Sequence, residues 1–449
     1  EFYTWYCSQF PKQALVVNYT VFKKAYRQFI ERPDPYLAPA IWFLRMAKDA
    51  KVKQPALFYT AAAHLCFLND QPTGCDSILQ FTRGMEMNES LRNQIRILKL
   101  CNQIHQTEKL EAETENNLLA DFQWLDIIRK QKPFYQVVYR TIQRRLMYSQ
   151  YLRQGDTLKA LLVQMKSEQL QVSSDYSYGE GTSKFGLIYW ESSGQFLNDE
   201  MSLNQCLALE QWFSHPVSAY DRWLCSEVSL TEAMLDELIA RKFVQEGRFA
   251  EAVSYFHRAG DQIRVPDPFV VHILDLQDGY YEDSLHTYTL SALADTLHTL
   301  QGLQGQSLRA SFDLGCALYS ISYYGKCWYL QKFYRSGYEP AAYIRPSGKS
   351  LFFNLVESFR CFEKVYRQSV DPEMKSKALW MMAKIAQKNF PEPGSQSGKS
   401  TDTGQVFDYT TWAIRMNPYL DSFNRQFKGT TWYEKVYQEC SYLRSFIQR

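Results

Sequence analysis

The sequence predicts an all-α fold, an α-solenoid of stacked antiparallel helix hairpins, on three observations. Apolar residues recur at helical spacing along most of the 449 residues. Gly and Pro number only 20 and 16, too few for an all-β chain with a turn about every ten residues. Third, the periodic segments are separated by short polar turns. Stacked hairpins read this way because one hairpin cannot bury its apolar face without neighbours.

In chain order, the pattern predicts helices over 56–68 and 75–81, joined by Asn69-Asp70-Gln71-Pro72-Thr73-Gly74. Further helices follow over 91–104, 109–130 (charged) and 133–152 (basic). The first apolar stretch, 55–68, carries His64 and falls short of the ~20 residues a spanning helix needs, so no transmembrane segment is expected. Between Gln171 and Ser202 the helical period fails. Ser173 to Thr182 is turn-like, and Phe185-Gly186-Leu187-Ile188-Tyr189-Trp190 has strand-like residues, leaving room for a short β-hairpin. Helices over 347–368 and 373–389 follow, Phe359, Phe362, Val365 and Tyr366 keeping the spacing of one buried face. Pro391 to Gly404 is polar, Gly/Ser-rich and expected to be mobile. The organisation expected is N-terminal helical repeats over 1–170, an irregular insertion and connector over 171–215, and C-terminal repeats over 216–449 with the loop at 391–404.

One hairpin carries a repeat signature. Ile239-Ala240, Phe243, Gly247, Phe249, Ala252, Phe256 and Ala259 run large-small, aromatic, Gly turn, aromatic, Ala, aromatic, Ala. Gly247 ends the first helix where positive φ is cheap, and the two alanines let the paired helix approach. This segment resembles the tetratricopeptide repeat, with Asp236 at the customary Trp and Pro266 two residues late. Tyr151, Gly155 and Ala160 form a degenerate copy. A third begins at Phe312-Asp313-Leu314-Gly315-Cys316-Ala317-Leu318 and continues through Ser322-Tyr323-Tyr324-Gly325-Lys326-Cys327-Trp328, a texture similar to bacterial envelope proteins built from such repeats. The resemblance implies an exported protein, periplasmic or outer-membrane-associated, with a cytoplasmic location as the alternative.

Candidate chemistry is thin. Pro393-Gly394-Ser395-Gln396-Ser397-Gly398-Lys399-Ser400 imitates a phosphate loop, but Pro393 replaces the first Gly and no strand precedes it. Gly348-Lys349-Ser350 lacks the upstream Gly. Glu191-Ser192 resembles the start of the catalytic stretch of soluble lytic transglycosylases, without the Gly-Leu-Met-Gln segment that follows there, so Glu191 reads as a solvated loop acid. Asp275-x-x-Asp278-Gly279 with Glu282 and Asp283 lacks the alternation of an EF-hand and reads as a solvated acidic turn. Ten scattered cysteines without Cys-x-x-Cys read as buried thiols, a Cys66–Cys75 disulfide being the alternative in an exported protein.

No catalytic residue, cofactor or metal is therefore expected. With 50 Lys+Arg against 48 Asp+Glu there is no basic field to gather nucleic acid. The expected function is a non-enzymatic scaffold recognising a protein or peptide partner along a helical groove. A glycan-binding surface protein of a sugar-uptake system is the alternative, and a hydrolase or lyase on a helical scaffold a further one. The aromatic surplus, 31 Tyr, 28 Phe and 10 Trp, mostly fills repeat packing. Tyr176, Tyr178, Tyr189, Trp190, Tyr280 and Tyr281 fall in predicted loops and are the candidates for a ligand surface.

Overall fold

A computed structural model describes residues 39–168, 192–228, 230–261, 263–275, 286–333, 350–389 and 417–447. Among the described residues the fold is all-α apart from one two-stranded sheet, and adjacent helices pack in succession. It divides into two compact units, Glu1–Gln169 with Trp212–Ser229, and Leu170–Gln211 with Leu230–Arg449.

In the first unit the helices are α1 (Pro39–Lys48), α2 (Pro55–Leu68), α3 (Pro72–Gln80), α4 (Glu89–Gln106), α5 (Ala112–Gln131) and α6 (Pro133–Thr141). A π-helical segment, Ile142–Met147, leads from α6 into α7 (Tyr148–Gln154), and α8 is Thr157–Ser167. Pro55, Pro72 and Pro133 sit in the first turns of their helices, where the missing N–H costs nothing. Asn88 and Asp156 cap α4 and α8 by accepting the N–H of Leu91 and Lys159. Gly155, at φ 78°, closes α7 and turns the chain toward α8, with Tyr151 and Ala160 fully buried. Ala62 and Ala63 are the small residues of the α1–α3 core, which also holds Tyr59, Cys75 and Leu79.

The second unit opens with α9 (Ser192–Gln195), a π-helical turn (Phe196–Glu200) and α10 (Leu203–Ser214), whose last residues, from Trp212, belong to the first unit together with α11 (Ala219–Cys225). Helical structure at 192–200 corrects the expectation of an aperiodic stretch reaching Ser202. Tertiary bonds hold it: Asn198 accepts the Phe333 N–H at 2.9 Å and the Lys242 ammonium at 3.0 Å, and Asp199 lies 2.5 Å from Lys332. Then come α12 (Glu232–Gln245) and α13 (Phe249–Arg258). In this pair Ile239, Ala240, Phe243, Phe249, Ala252 and Phe256 are buried, Ala259 is half-buried, and Gly247 turns at φ 75°.

The sheet stands where the sequence did not place it. Strands β1 (Arg264–Pro266) and β2 (His286–Thr289) pair antiparallel, Val265 opposite Tyr288, with an irregularity between Val265 and Pro266. The remaining helices are α14 (Leu290–Leu303), α15 (Leu308–Ser320), α16 (Val356–Gln368), α17 (Pro372–Asn389), α18 (Pro418–Gln426), α19 (Thr431–Glu439) and α20 (Ser441–Ile447). Helix α15 approaches α16 closely at Gly315, where a Cβ would stand 3.1 Å from Cys361 and the Phe362 ring. Phe312, Phe362, Trp380, Phe423 and Tyr433 join one continuous core.

One further expectation fails in this unit. Residues 350–355 are not helical, because their backbone is spent on neighbours: the Leu351 N–H bonds the Gln245 carbonyl, and the Phe352 carbonyl accepts from Tyr323. After α15 the chain makes a run of turns over 321–327 ending in a 3₁₀ turn at Trp328–Leu330.

The nine described cysteines are free thiols, Cys66 and Cys75 among them. Burial pushes Cys75 and Cys101 up to about 12, and Cys225 and Cys361 up to about 11. A neutral-pH alkylation pulse on the folded chain is expected to label these four more slowly than in denaturant, where thiols titrate near 8.5, by at least about a hundredfold. Peptide mapping after the pulse checks this, and fast labelling of any of the four contradicts it.

Candidate functional site

Among the described residues several clusters of ionisable side chains lie inside the units, and they differ in what they leave open. In the first unit, fully buried Glu115 accepts the Tyr151 hydroxyl at 2.8 Å and the Lys159 ammonium at 2.6 and 2.7 Å. Nearby, Trp223 donates to Asp126 at 2.6 Å, and Arg129 bridges Asp126 and Glu227. In the second unit, Lys242 and Lys332 anchor the 196–200 turn. Burial brings the Lys242 ammonium down to about 8. Both clusters tie helices together within their cores.

The third cluster opens into a recess. It is built by the segment after β1, by the end of α15 with the turn that follows, and by one face of α17. Met381, Lys384 and Lys388 stand three and four residues apart, so they share a side of α17. Asp275 Oδ1 lies 2.6 Å from Lys384 Nζ and accepts the Tyr319 hydroxyl at 2.9 Å, while Oδ2 lies 2.9 Å from Lys388 Nζ. Lys384 also donates to the His272 carbonyl at 2.9 Å. The two ammonium groups lie over aromatic rings, Lys384 5.0 Å from Tyr319 and Lys388 5.1 Å from Tyr324, distances at which a cation is attracted to the ring face.

The electrostatics follow from this packing. Burial alone would raise the Asp275 carboxyl, but the ammonium groups of Lys384 and Lys388 outweigh it and hold the group well below the usual carboxylate range. Burial lowers Lys384 and the Asp275 charge offsets part of that. Burial and the neighbouring Asp275 charge both push the Tyr319 hydroxyl well up, so it remains a donor at neutral pH.

The recess measures about 350 Å³ including its open mouth. Its enclosed depth has room for roughly one water-sized group. Val270 and Leu274 form an apolar part of the lining and are 48% and 40% exposed. Gly325 is required at the wall: a Cβ there would stand 2.1 Å from the Ser320 carbonyl oxygen.

Asp275 therefore corrects the reading of a solvated acidic turn. The lysines that pair with it come from more than a hundred residues downstream, which no local pattern announces. Asp278, Glu282 and Asp283 lie outside the described residues, as do Tyr176, Tyr178, Tyr189, Trp190, Tyr280, Tyr281, Glu191 and the loop at 391–404. The sequence reading missed Lys384 and Lys388. The available signal was two lysines four residues apart in a helix whose preceding run, Ala378-Leu379-Trp380-Met381-Met382-Ala383, is apolar. Among the described residues no group of three His, Cys, Asp or Glu is placed to hold a metal, and no helix is long and apolar enough to cross a membrane. No protein-family model, curated protein or solved structure matches the chain.

Proposed function

We propose that the chain is a non-enzymatic scaffold that binds a protein or peptide partner through its second unit. The observation that carries this reading is the recess at Asp275, where exposed Val270 and Leu274 stand beside a charged floor. Apolar surface with a few convergent polar groups is the usual composition of a binding site. A run of helices packed in succession, from α12 to α18, supplies the rigid support that such a site needs. Tetratricopeptide-like repeats and a bacterial envelope location fit the same reading.

The test is affinity purification of the full chain from its native cells, beside a Val270→Glu, Leu274→Glu double variant. A stoichiometric protein partner is expected with the wild type and lost with the variant, while a glycan array stays silent. Equal recovery from both, or a strong glycan signal alone, overturns the proposal.

A further inference from the structure

The cluster at the floor of the recess carries more positive than negative charge. Lys384 and Lys388 face the single carboxylate of Asp275, which leaves the three groups at +1. Donors are also in excess. Lys384 has three N–H groups, of which Asp275 and the His272 carbonyl take two, and Lys388 meets one carboxylate oxygen. The Lys384 side chain is only 7% exposed. A cation held this far from water gains from a second anion more than a surface lysine does, because less solvent screening competes.

We propose that this recess takes the C-terminal carboxylate of a partner polypeptide whose last side chain is apolar. The inference rests on the partner-binding reading of the second unit. The shape of the lining selects this source of carboxylate. Leu274 and Asp275 are adjacent, so apolar surface and charged floor are one residue apart, and a C-terminal residue presents its side chain and its carboxylate from one Cα. The enclosed depth, with room for roughly one water-sized group, admits the oxygen tip of a carboxylate and excludes a sugar ring. The incoming carboxylate accepts the remaining Lys384 N–H, brings the floor to neutrality, and leaves the apolar side chain against Val270 and Leu274.

Met381 is buried in the wall and provides a reporter. The full chain labelled with ¹³C-methyl methionine is titrated with N-acetyl-leucine, with N-acetyl-leucinamide, and with a glutamate blocked at both its amino and α-carboxyl ends. N-acetyl-leucine is expected to shift the Met381 methyl signal saturably, and the two other probes are not. Lys384→Gln should weaken the N-acetyl-leucine response about tenfold, the scale of a lost hydrogen bond to a charged group. No saturable shift with the wild type, or an equal response to the amide, overturns the proposal without any variant having to fold. An equal response to the blocked glutamate overturns it in favour of an acidic side chain. If N-acetyl-leucine binds while purification yields no partner, the carboxylate site stands and the scaffold reading falls. If a partner is recovered through Val270 and Leu274 while N-acetyl-leucine is inert, the carboxylate site alone falls.

Discussion

Replacing Asp275 with Asn is expected to destabilise the protein by about 2–3 kcal/mol, between the value of an exposed pair and that of a fully buried one, because Lys384 is 7% and Asp275 23% exposed. The substitution preserves shape and removes charge. Lys384, 7% exposed and anchored on the same carboxylate as Lys388, is left as a cation with no anion to offset it, among neutral acceptors such as the His272 carbonyl, the Tyr319 ring and the new amide oxygen. Urea denaturation of the variant against the wild type measures the loss, and a change below about 1 kcal/mol, the value of an exposed pair, would contradict the burial argument.

The pH dependence separates this mechanism from a packing defect. The wild-type Asp275 carboxyl is held below its unfolded value, so its contribution is fully present above roughly pH 4 and is lost as pH falls through the depressed value. The variant lacks that contribution, and the gap between the two proteins should narrow in strong acid. Lys384 acts at the other end. Its folded value is lowered, so between that value and the ordinary ~10.4 the unfolded chain holds a proton that the native chain has released, and stability rises with pH. Without Asp275 the window opens at a lower pH. The variant should therefore recover part of its deficit between neutral pH and about 10; a packing defect would leave the gap constant.

What could be read from the sequence was the part set by neighbours in the chain. Helix boundaries at Pro55, Asn88, Asp156 and Gly155 follow from capping chemistry within a few residues, and the α12–α13 hairpin follows from its own spacing. The misses arise where distant backbone takes over. Residues 350–355 look helical until the Gln245 carbonyl and the Tyr323 N–H claim their backbone, and 192–200 look irregular until Phe333, Lys242 and Lys332 fix Asn198 and Asp199. The recess belongs to the second class. Asp275 and Lys384 are 109 positions apart, and each alone is an ordinary charged residue; only the fold turns them into a pair.

Gly325→Ala is expected to be among the most damaging substitutions of a single methyl in this chain, and the reason is a backbone collision. The added Cβ would lie 2.1 Å from the Ser320 carbonyl oxygen and 2.4 Å from its carbon, so relief requires moving main chain. That carbonyl accepts the Cys327 N–H at 2.8 Å, and the Cys327 thiol in turn donates to the Pro266 carbonyl beside β2. Shifting the 321–327 turn therefore disturbs the wall of the recess and the end of the sheet together. A loss of about 3 kcal/mol or more is expected, on the scale of forced backbone strain combined with a broken hydrogen bond. Gly302 provides the control: it is helical, and a Cβ there meets nothing within 4 Å. Gly302→Ala should stabilise the chain by about 0.5–1 kcal/mol, the gain in helix propensity. Paired thermal and urea unfolding of the two variants decides the matter. Equal effects would mean that the turn at Gly325 relaxes freely, and the recess would then have a pliant wall, unfit to hold a carboxylate at fixed distance from Lys384.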